Sequence, residues 1–176
     1  MNETQGLPGV RHIIPSMDPQ LAEYNVLVGA EGWRHAHWQH TFYPEGLPDE
    51  WQLSFYNTQF RCVYLPKSLW TMCSVADAQM WLADTQANFR FILESPDSIT
   101  PQLTAFLNIV AERALLDDAG HEQQELLWFP PAPDLRALGH RIKAAVEQGR
   151  RLYLLNREAH LPSLEQVRSL VEVMGY

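Results

Sequence analysis

The sequence predicts an α/β protein whose parallel sheet is built from about five βα units and forms a partial, open barrel. Five short apolar segments of strand length are each followed by a segment with helical periodicity, and these pairs fill most of the 176 residues. A strand that leads through a helix to a further strand returns by a right-handed crossover, which places the two strands parallel. Five such units are too few to close the usual eight-stranded ring.

The first two units lie in the N-terminal half of the chain. Residues 24–30 are apolar on both faces and include β-branched side chains, as buried parallel strands do, so they form the first predicted strand. Residues 48–59 open with Pro, Asp and Glu, which favour a helix N-terminus, and they carry Trp51 among their apolar residues. Residues 61–65 form the second predicted strand.

Capping residues mark the next two helices. Ser74 and Asp77 have the spacing of a capping box, which predicts that a helix begins there. Residues 89–93 follow as the third strand. Thr100 and Pro101 then begin another helix, because threonine caps well and proline suits the first helical position.

The C-terminal part of the chain supplies the remaining strands and helices. They are predicted at residues 125–129, 134–148, 152–155 and 163–174. Gly149 and Gly175 close the two helices, since glycine readily adopts the conformation that ends a helix. Ser163 and Gln166 have capping-box spacing and are predicted to begin the last one.

Composition narrows the class of protein. The formal charge of −8 disfavours nonspecific binding to nucleic acids or to anionic membranes, because both require a basic surface. The two cysteines, Cys62 and Cys73, do not form a CxxC pair or a disulfide framework, which favours the cytoplasm. We expect one domain at residues 25–176, preceded by an N-terminal arm at residues 1–24 that lacks the features of a signal peptide or an anchor.

Several short motifs occur in a fixed order along the chain. They are VGAEGW at residues 28–33, FYPEGLP at 42–48, FRCV at 60–63, FRF at 89–91 and LLWFPP at 126–131. In this order they resemble the YecE-like family of uncharacterised proteins, from about residue 26 to the C-terminus. The resemblance implies a TIM-barrel-like fold with any ligand-binding or catalytic groups at the carboxyl ends of the strands, and it implies no particular reaction.

Three positions depart from the family pattern. Tyr64 and Pro66 stand where the family usually has Glu and Asn, and Glu94 stands where it usually has Lys. These changes favour a divergent member that has lost any family activity.

The resemblance also concerns length. Family members are typically ~250 residues long, the size of a full barrel, so this chain is expected to stop after its fifth unit. The first and fifth strands would then be open edges, and unpaired edges promote association. We therefore expect a homo-oligomer, or another protein bound through the open sheet edges.

The densest polar cluster follows the first strand, in the segment RHAHWQH at residues 34–40. In an extended chain His35 and His37 share a face, whereas in a helix His37 and His40 do, and either pair could ligate zinc. Glu31, Glu94 and His160 are the further ligand candidates. Because no metal-binding motif supports them, we predict no cofactor and keep a zinc site at His35, His37 and His40 as the alternative.

A second polar group follows the fifth strand. Arg157 could clamp a carboxylate or phosphate, or it could form a structural ion pair with an acid such as Glu94. A ligand-binding set is predicted from both groups. It consists of Trp33, His35, His37, Asn156, Arg157 and His160.

Two functions remain open at this point. The first is a noncatalytic interaction protein or small-ligand-binding protein. The second is a hydrolase-like enzyme, metal-dependent or not, that uses His35, His37 or His40 with Glu94 or Glu31. For that second function Glu31, Glu94 and His37 are the candidate catalytic residues.

Overall fold

The computed structural model of this chain describes residues 25–118 and 123–176. The described residues form six strands, and a helix follows each of them except β4: β1 (Val26–Glu31), β2 (Cys62–Leu65), β3 (Arg90–Leu93), β4 (Ala114–Leu116), β5 (Gln124–Trp128) and β6 (Arg151–Asn156). The helices are α1 (Gln52–Gln59), α2 (Lys67–Trp70), α3 (Val75–Ala83), α4 (Pro101–Val110), α5 (Leu135–Glu147) and α6 (Leu161–Val173). Short 3₁₀ turns occupy Ala36–Trp38 and Asp49–Trp51. The predicted N-terminal arm, residues 1–24, lies outside the described residues.

All described strands belong to one parallel sheet in the order β4-β3-β2-β1-β6-β5, which confirms the predicted open, barrel-like α/β fold. Strand β4 was missed in the sequence because it has only three residues. It is paired to β3 from Phe91↔Ala114 to Leu93↔Leu116.

The position of the opening corrects the sequence-based expectation. In a closed barrel of eight strands the last strand pairs with the first. Here β6 pairs with β1 along five residues, from Val26↔Leu152 to Ala30↔Asn156. The open edges are therefore β4 and β5, not the first and last strands, and the gap in the ring lies between residues 116 and 124 of the sequence.

The sheet is curled, and its two faces form separate clusters. Residues that alternate along the strands point inward and pack on one another: Leu27, Cys62, Tyr64, Ile92, Tyr153 and Leu155, with Leu115, Leu126 and Trp128 at the margin. The outer face carries the main core under the helices, including Val63, Phe91 and Leu154. Because the inner cluster is itself buried, the open ring does not expose a broad apolar face.

A tyrosine hydroxyl interrupts the ladder between the two central strands. Tyr56 of α1 donates to the backbone oxygen of Cys62 at 2.8 Å and accepts from the backbone nitrogen of Ala30 at 2.8 Å. Beside it, a Cβ on Gly29 would lie 2.0 Å from the same Cys62 oxygen. Glycine is therefore required at position 29, where the β1 backbone approaches β2 closely.

The caps that the sequence predicted are confirmed in three helices and wrong in one. Ser74 and Asp77 form the full capping box of α3, Thr100 caps α4, and Gly149 ends α5 with a φ of 68°. The last helix begins at Leu161 with His160 as its N-cap, so Ser163 lies inside α6. Its hydroxyl donates to the His160 backbone oxygen, which removes it from a capping role.

Trp51 does not lie on a buried helix face, where an apolar residue of the predicted helix at residues 48–59 is expected. It lies in the 3₁₀ turn before α1, and 61% of its surface is exposed.

None of the helices in residues 25–118 and 123–176 is long and apolar enough to span a membrane.

Candidate functional site

The carboxyl ends of the six strands carry one inward-facing polar or aromatic residue each. We call this set the mouth. It consists of Glu31, Tyr64, Glu94, Asp117, Trp128 and Arg157. Parallel strands place their carboxyl ends at the same edge of the sheet, which is where functional groups of such barrels lie.

Arg157, after β6, contacts one residue from each of the two strands beside β6. Its guanidinium carbon lies 4.5 Å from the centroid of the Trp128 ring, and its Nε lies 3.6 Å from Oε2 of Glu31. Two-thirds of the Arg157 side chain is exposed, so solvent weakens this ion pair and the guanidinium can move. The acid that pairs with Arg157 is thus Glu31 and not Glu94.

Tyr64 and Asp117 form the second contact across the mouth. The Tyr64 hydroxyl donates to Oδ2 of Asp117 at 2.8 Å, and the backbone nitrogen of Ser95 donates to Oδ1 of the same carboxylate at 2.9 Å. Burial and then the hydrogen bond to Asp117 raise the pKa of Tyr64, so the phenol stays protonated. The ring of Tyr64 also meets Trp128 edge to face, with 4.8 Å between the centroids.

The two predicted catalytic carboxylates have different environments. Glu94 accepts a hydrogen bond from the backbone nitrogen of Lys67 at 2.8 Å and so anchors the start of α2. Burial raises the pKa of Glu31; the nearby Arg157 opposes this rise, and the negative charge of Glu94 adds to it. Glu31 therefore binds a proton more readily than an ordinary glutamate does.

The histidine cluster lies in the β1 loop, residues 32–48, where His35 is partly buried and His37 and His40 are exposed. The His35 ring lies 4.5 Å from the Trp38 ring and 5.3 Å from the His37 ring, measured between centroids. Burial lowers the pKa of His35, so it is neutral at pH 7. His40 is exposed and has a positive φ of 61°.

His37 and Trp38 tie the β1 loop to the loop that follows β6. Nε1 of Trp38 donates to the backbone oxygen of Ala159 at 2.8 Å, and Nε2 of His37 lies 3.1 Å from the same oxygen. Ala159 has a φ of 50°, which alanine adopts only when its surroundings enforce it. Trp38 is fully buried, so this contact belongs to the framework.

The remaining predicted ligand-binding residues are also held by the framework. Trp33 is buried edge to face against Trp81, with 5.3 Å between ring centroids. Asn156 is fully buried: it donates to the Phe129 oxygen at 2.9 Å and accepts from the His160 backbone nitrogen at 2.8 Å. Nδ1 of His160 lies 3.0 Å from the Ser163 hydroxyl.

The structure brings Glu31, Glu94 and Arg157 together in the mouth and leaves the histidines in the adjoining loop. Within residues 25–118 and 123–176, no three His, Cys, Asp or Glu side chains are grouped as a metal site would require. Asp117 and Trp128 belong to the mouth but were not predicted. Asp117 follows the strand that was too short to recognise, and Trp128 ends β5 but meets the ring of Tyr64 on β2, a residue far away in the sequence.

Similarity to known proteins agrees with the fold. A family model described as a protein of unknown function, DUF72, matches residues 27–174. The structure is similar to the crystal structure of a DUF72 family protein from Thermotoga maritima, with a TM-score of 0.53 and 12% sequence identity. That alignment covers 84% of this chain and 99% of the other chain. No curated protein matches the sequence.

Because the sequence identity is only 12%, the similarity to the solved structure supports the fold and nothing further. The family model, in contrast, matches most of the described residues. The motifs that resemble the YecE-like family lie within the matched range, and both descriptions refer to one family of uncharacterised proteins. The chain belongs to the DUF72 family.

Proposed function

We propose that this protein is a noncatalytic binding protein that takes a small polar ligand in the mouth. The observation that carries the proposal is a run of contacts in the mouth: Arg157 lies over the Trp128 ring and beside Glu31, Trp128 meets Tyr64, and Tyr64 donates to Asp117. Three carboxylates and one guanidinium give this mouth a net negative charge, which favours ligands that bear amino or hydroxyl groups.

The environments of the carboxylates support binding over catalysis. Glu94 and Asp117 are each engaged by a backbone N–H, so they hold loops in place. Burial raises the pKa of the Cys62 thiol, and that side chain is fully buried, which makes it a poor nucleophile. Both cysteines are free thiols, which supports a cytoplasmic location.

The test is a thermal-shift screen with monosaccharides, polyols, amino acids and alkylamines, followed by calorimetry on any compound that raises the melting temperature. We expect Arg157→Ala to weaken the binding of a monosaccharide or polyol about tenfold or more, since the charge-assisted hydrogen bonds from the guanidinium to the ligand hydroxyl oxygens are lost. Arg136→Ala, on the exposed surface of α5, is the matched control and should bind as the wild type does. Equal binding by both variants would refute a site in the mouth.

The alternative is a hydrolase that uses Glu31 or Glu94 with His35, His37 or His40. The raised pKa of Glu31 favours it, because a carboxyl group that keeps its proton nearer neutral pH can act as a general acid. Turnover of p-nitrophenyl esters, glycosides or phosphates that is lost in Glu31→Gln would establish it. Elemental analysis of protein purified without a chelator or a histidine tag would show whether zinc takes part.

Association through the sheet edges is a second part of the proposal. Strands β4 and β5 each have one side that pairs with no other described strand, and such edges can accept a strand from another chain. Light scattering should give a mass above that of the 20.3 kDa monomer, and a monomeric mass at all concentrations would contradict this part.

A further inference from the structure

A separate cavity of about 240 Å³ lies on the outer side of the sheet. Its apolar lining comes from α1, the end of β2 and α3, and includes Leu53, Leu65 and Trp81. None of the six mouth residues lines it, so it is a second candidate site. We call it the outer cavity.

The charge around the outer cavity is unbalanced. Four carboxylates line it, those of Asp49, Glu50, Asp77 and Asp84, against the single guanidinium of Arg34. Asp49 accepts a hydrogen bond from Gln52 and Asp77 caps α3. Glu50 and Asp84 make no side-chain hydrogen bond or ion pair with another described residue, so their charges are available to a ligand.

The lining also contains an unused donor. The Trp33 side chain lines the cavity and is 7% exposed, and its indole Nε1 has no hydrogen-bond partner among the described residues. A buried N–H without a partner is unfavourable, and nearly all such groups in folded proteins find an acceptor. Arg34, the next residue, offers further donors at the same wall.

We propose that the outer cavity binds a cationic amine joined by an apolar chain to a carbonyl or carboxylate oxygen. The ammonium group lies toward Glu50 and Asp84, the chain packs on Leu53 and Trp81, and the oxygen accepts from Trp33 or Arg34. A free ω-amino acid and a lysine side chain in a peptide both have this chemistry.

The test uses three probes of matched length: 6-aminohexanoate, hexylammonium and hexanoate. Binding is followed by the indole N–H resonances in a ¹⁵N–¹H spectrum, in which Trp33→Phe identifies the Trp33 signal. We expect 6-aminohexanoate to shift the Trp33 signal and to bind more tightly than either probe that lacks one of the two polar ends. Equal affinities for all three, or no shift of that signal, would overturn the proposal.

Two variants test the charges. Glu50→Gln combined with Asp84→Asn should weaken 6-aminohexanoate and hexylammonium at least about fivefold at low salt and leave hexanoate unaffected or improved. The control pair is Glu147→Gln with Glu172→Gln, two exposed carboxylates on α5 and α6, and it should have no effect. An equal loss in both double variants would mean a general charge effect and would also overturn the site.

A fourth probe, Nα-acetyl-lysine amide, distinguishes the two sources of the ligand. Tighter binding of this probe than of 6-aminohexanoate assigns the cavity to a lysine of a partner polypeptide, and the reverse order assigns it to a free amino acid. Either order supports the site, whereas failure of both probes contradicts it. None of these outcomes depends on the mouth.

Discussion

The β1 loop and the mouth lie at the same end of the sheet, yet their polar side chains are held in different ways. In the β1 loop the polar atoms of His37 and Trp38 meet a backbone oxygen, and Trp38 is fully buried. In the mouth, Arg157 lies beside Glu31 and over the Trp128 ring, and two-thirds of its side chain is exposed to solvent. The difference shows that a dense polar cluster in sequence can be framework, while a site is assembled from single residues on separate strands.

Trp38→Ala is expected to have the largest effect on stability of the variants that test this comparison. Removing a fully buried tryptophan whose Nε1 is hydrogen-bonded to Ala159 should lower the free energy of unfolding by about 3–5 kcal/mol. Urea denaturation measures the change. Trp51→Ala is the control, because its ring is mostly exposed, and it should cost much less. If the two variants lost similar amounts of unfolding free energy, Trp38 would contribute no more to the framework than the exposed Trp51 does.

Asn156→Ala is the next largest test. The change leaves the Phe129 oxygen and the His160 nitrogen without their partner, so we expect a loss of about 2–3 kcal/mol in the free energy of unfolding. The exposed Asn108→Ala on α4 serves as the control and should be close to neutral. If Asn156→Ala were also neutral, Asn156 would return to the list of candidate ligand-binding residues.

Tyr64→Phe probes the mouth itself. It removes only the hydroxyl that donates to Asp117, and Asp117 keeps its bond from Ser95, so the cost should be about 1 kcal/mol. Tyr176→Phe, at the C-terminus, removes the same hydroxyl group and serves as the control; it should change the free energy of unfolding less. If Tyr64→Phe lowered the free energy of unfolding as much as Trp38→Ala does, the residues of the mouth would also be needed to hold the fold together.

The smallest effect concerns Glu31 and pH. Because burial raises its pKa in the folded state, the stability that Glu31 contributes is fully present below the unfolded pKa of about 4.5. It is lost as the pH rises through the folded pKa. Glu31→Gln should therefore match the wild type near pH 4 and be slightly more stable at pH 7, as urea midpoints would show. The opposite order at pH 7 would mean that the ion pair with Arg157 outweighs burial.

Local signals were sufficient for much of the fold. The caps at Ser74 and Thr100 depend on contacts within one helical turn, and both are found where the sequence indicated. The three-residue strand β4 escaped detection because its conformation depends on pairing with β3 and not on its own pattern. Trp51 was misplaced for a similar reason, since helical periodicity alone does not say which face is covered.

The candidate site was less accessible from sequence. Glu31, Glu94 and Arg157 were named because each follows a recognisable strand, and the structure places them in one mouth. The pairing of Arg157 with Glu31 follows from β6 lying beside β1, a contact between residues more than a hundred positions apart. Asp117 and Trp128 could be assigned only once the strand order was known.

The amino-acid sequence by itself determined most of the alternation of strands and helices, the caps at Ser74 and Thr100 and the family, because these depend on side chains close together along the chain. The tertiary structure alone decided which strands are neighbours, where the ring is open and which side chains meet in the mouth. Those features depend on closing long loops and on burial against distant residues, and no local pattern records them.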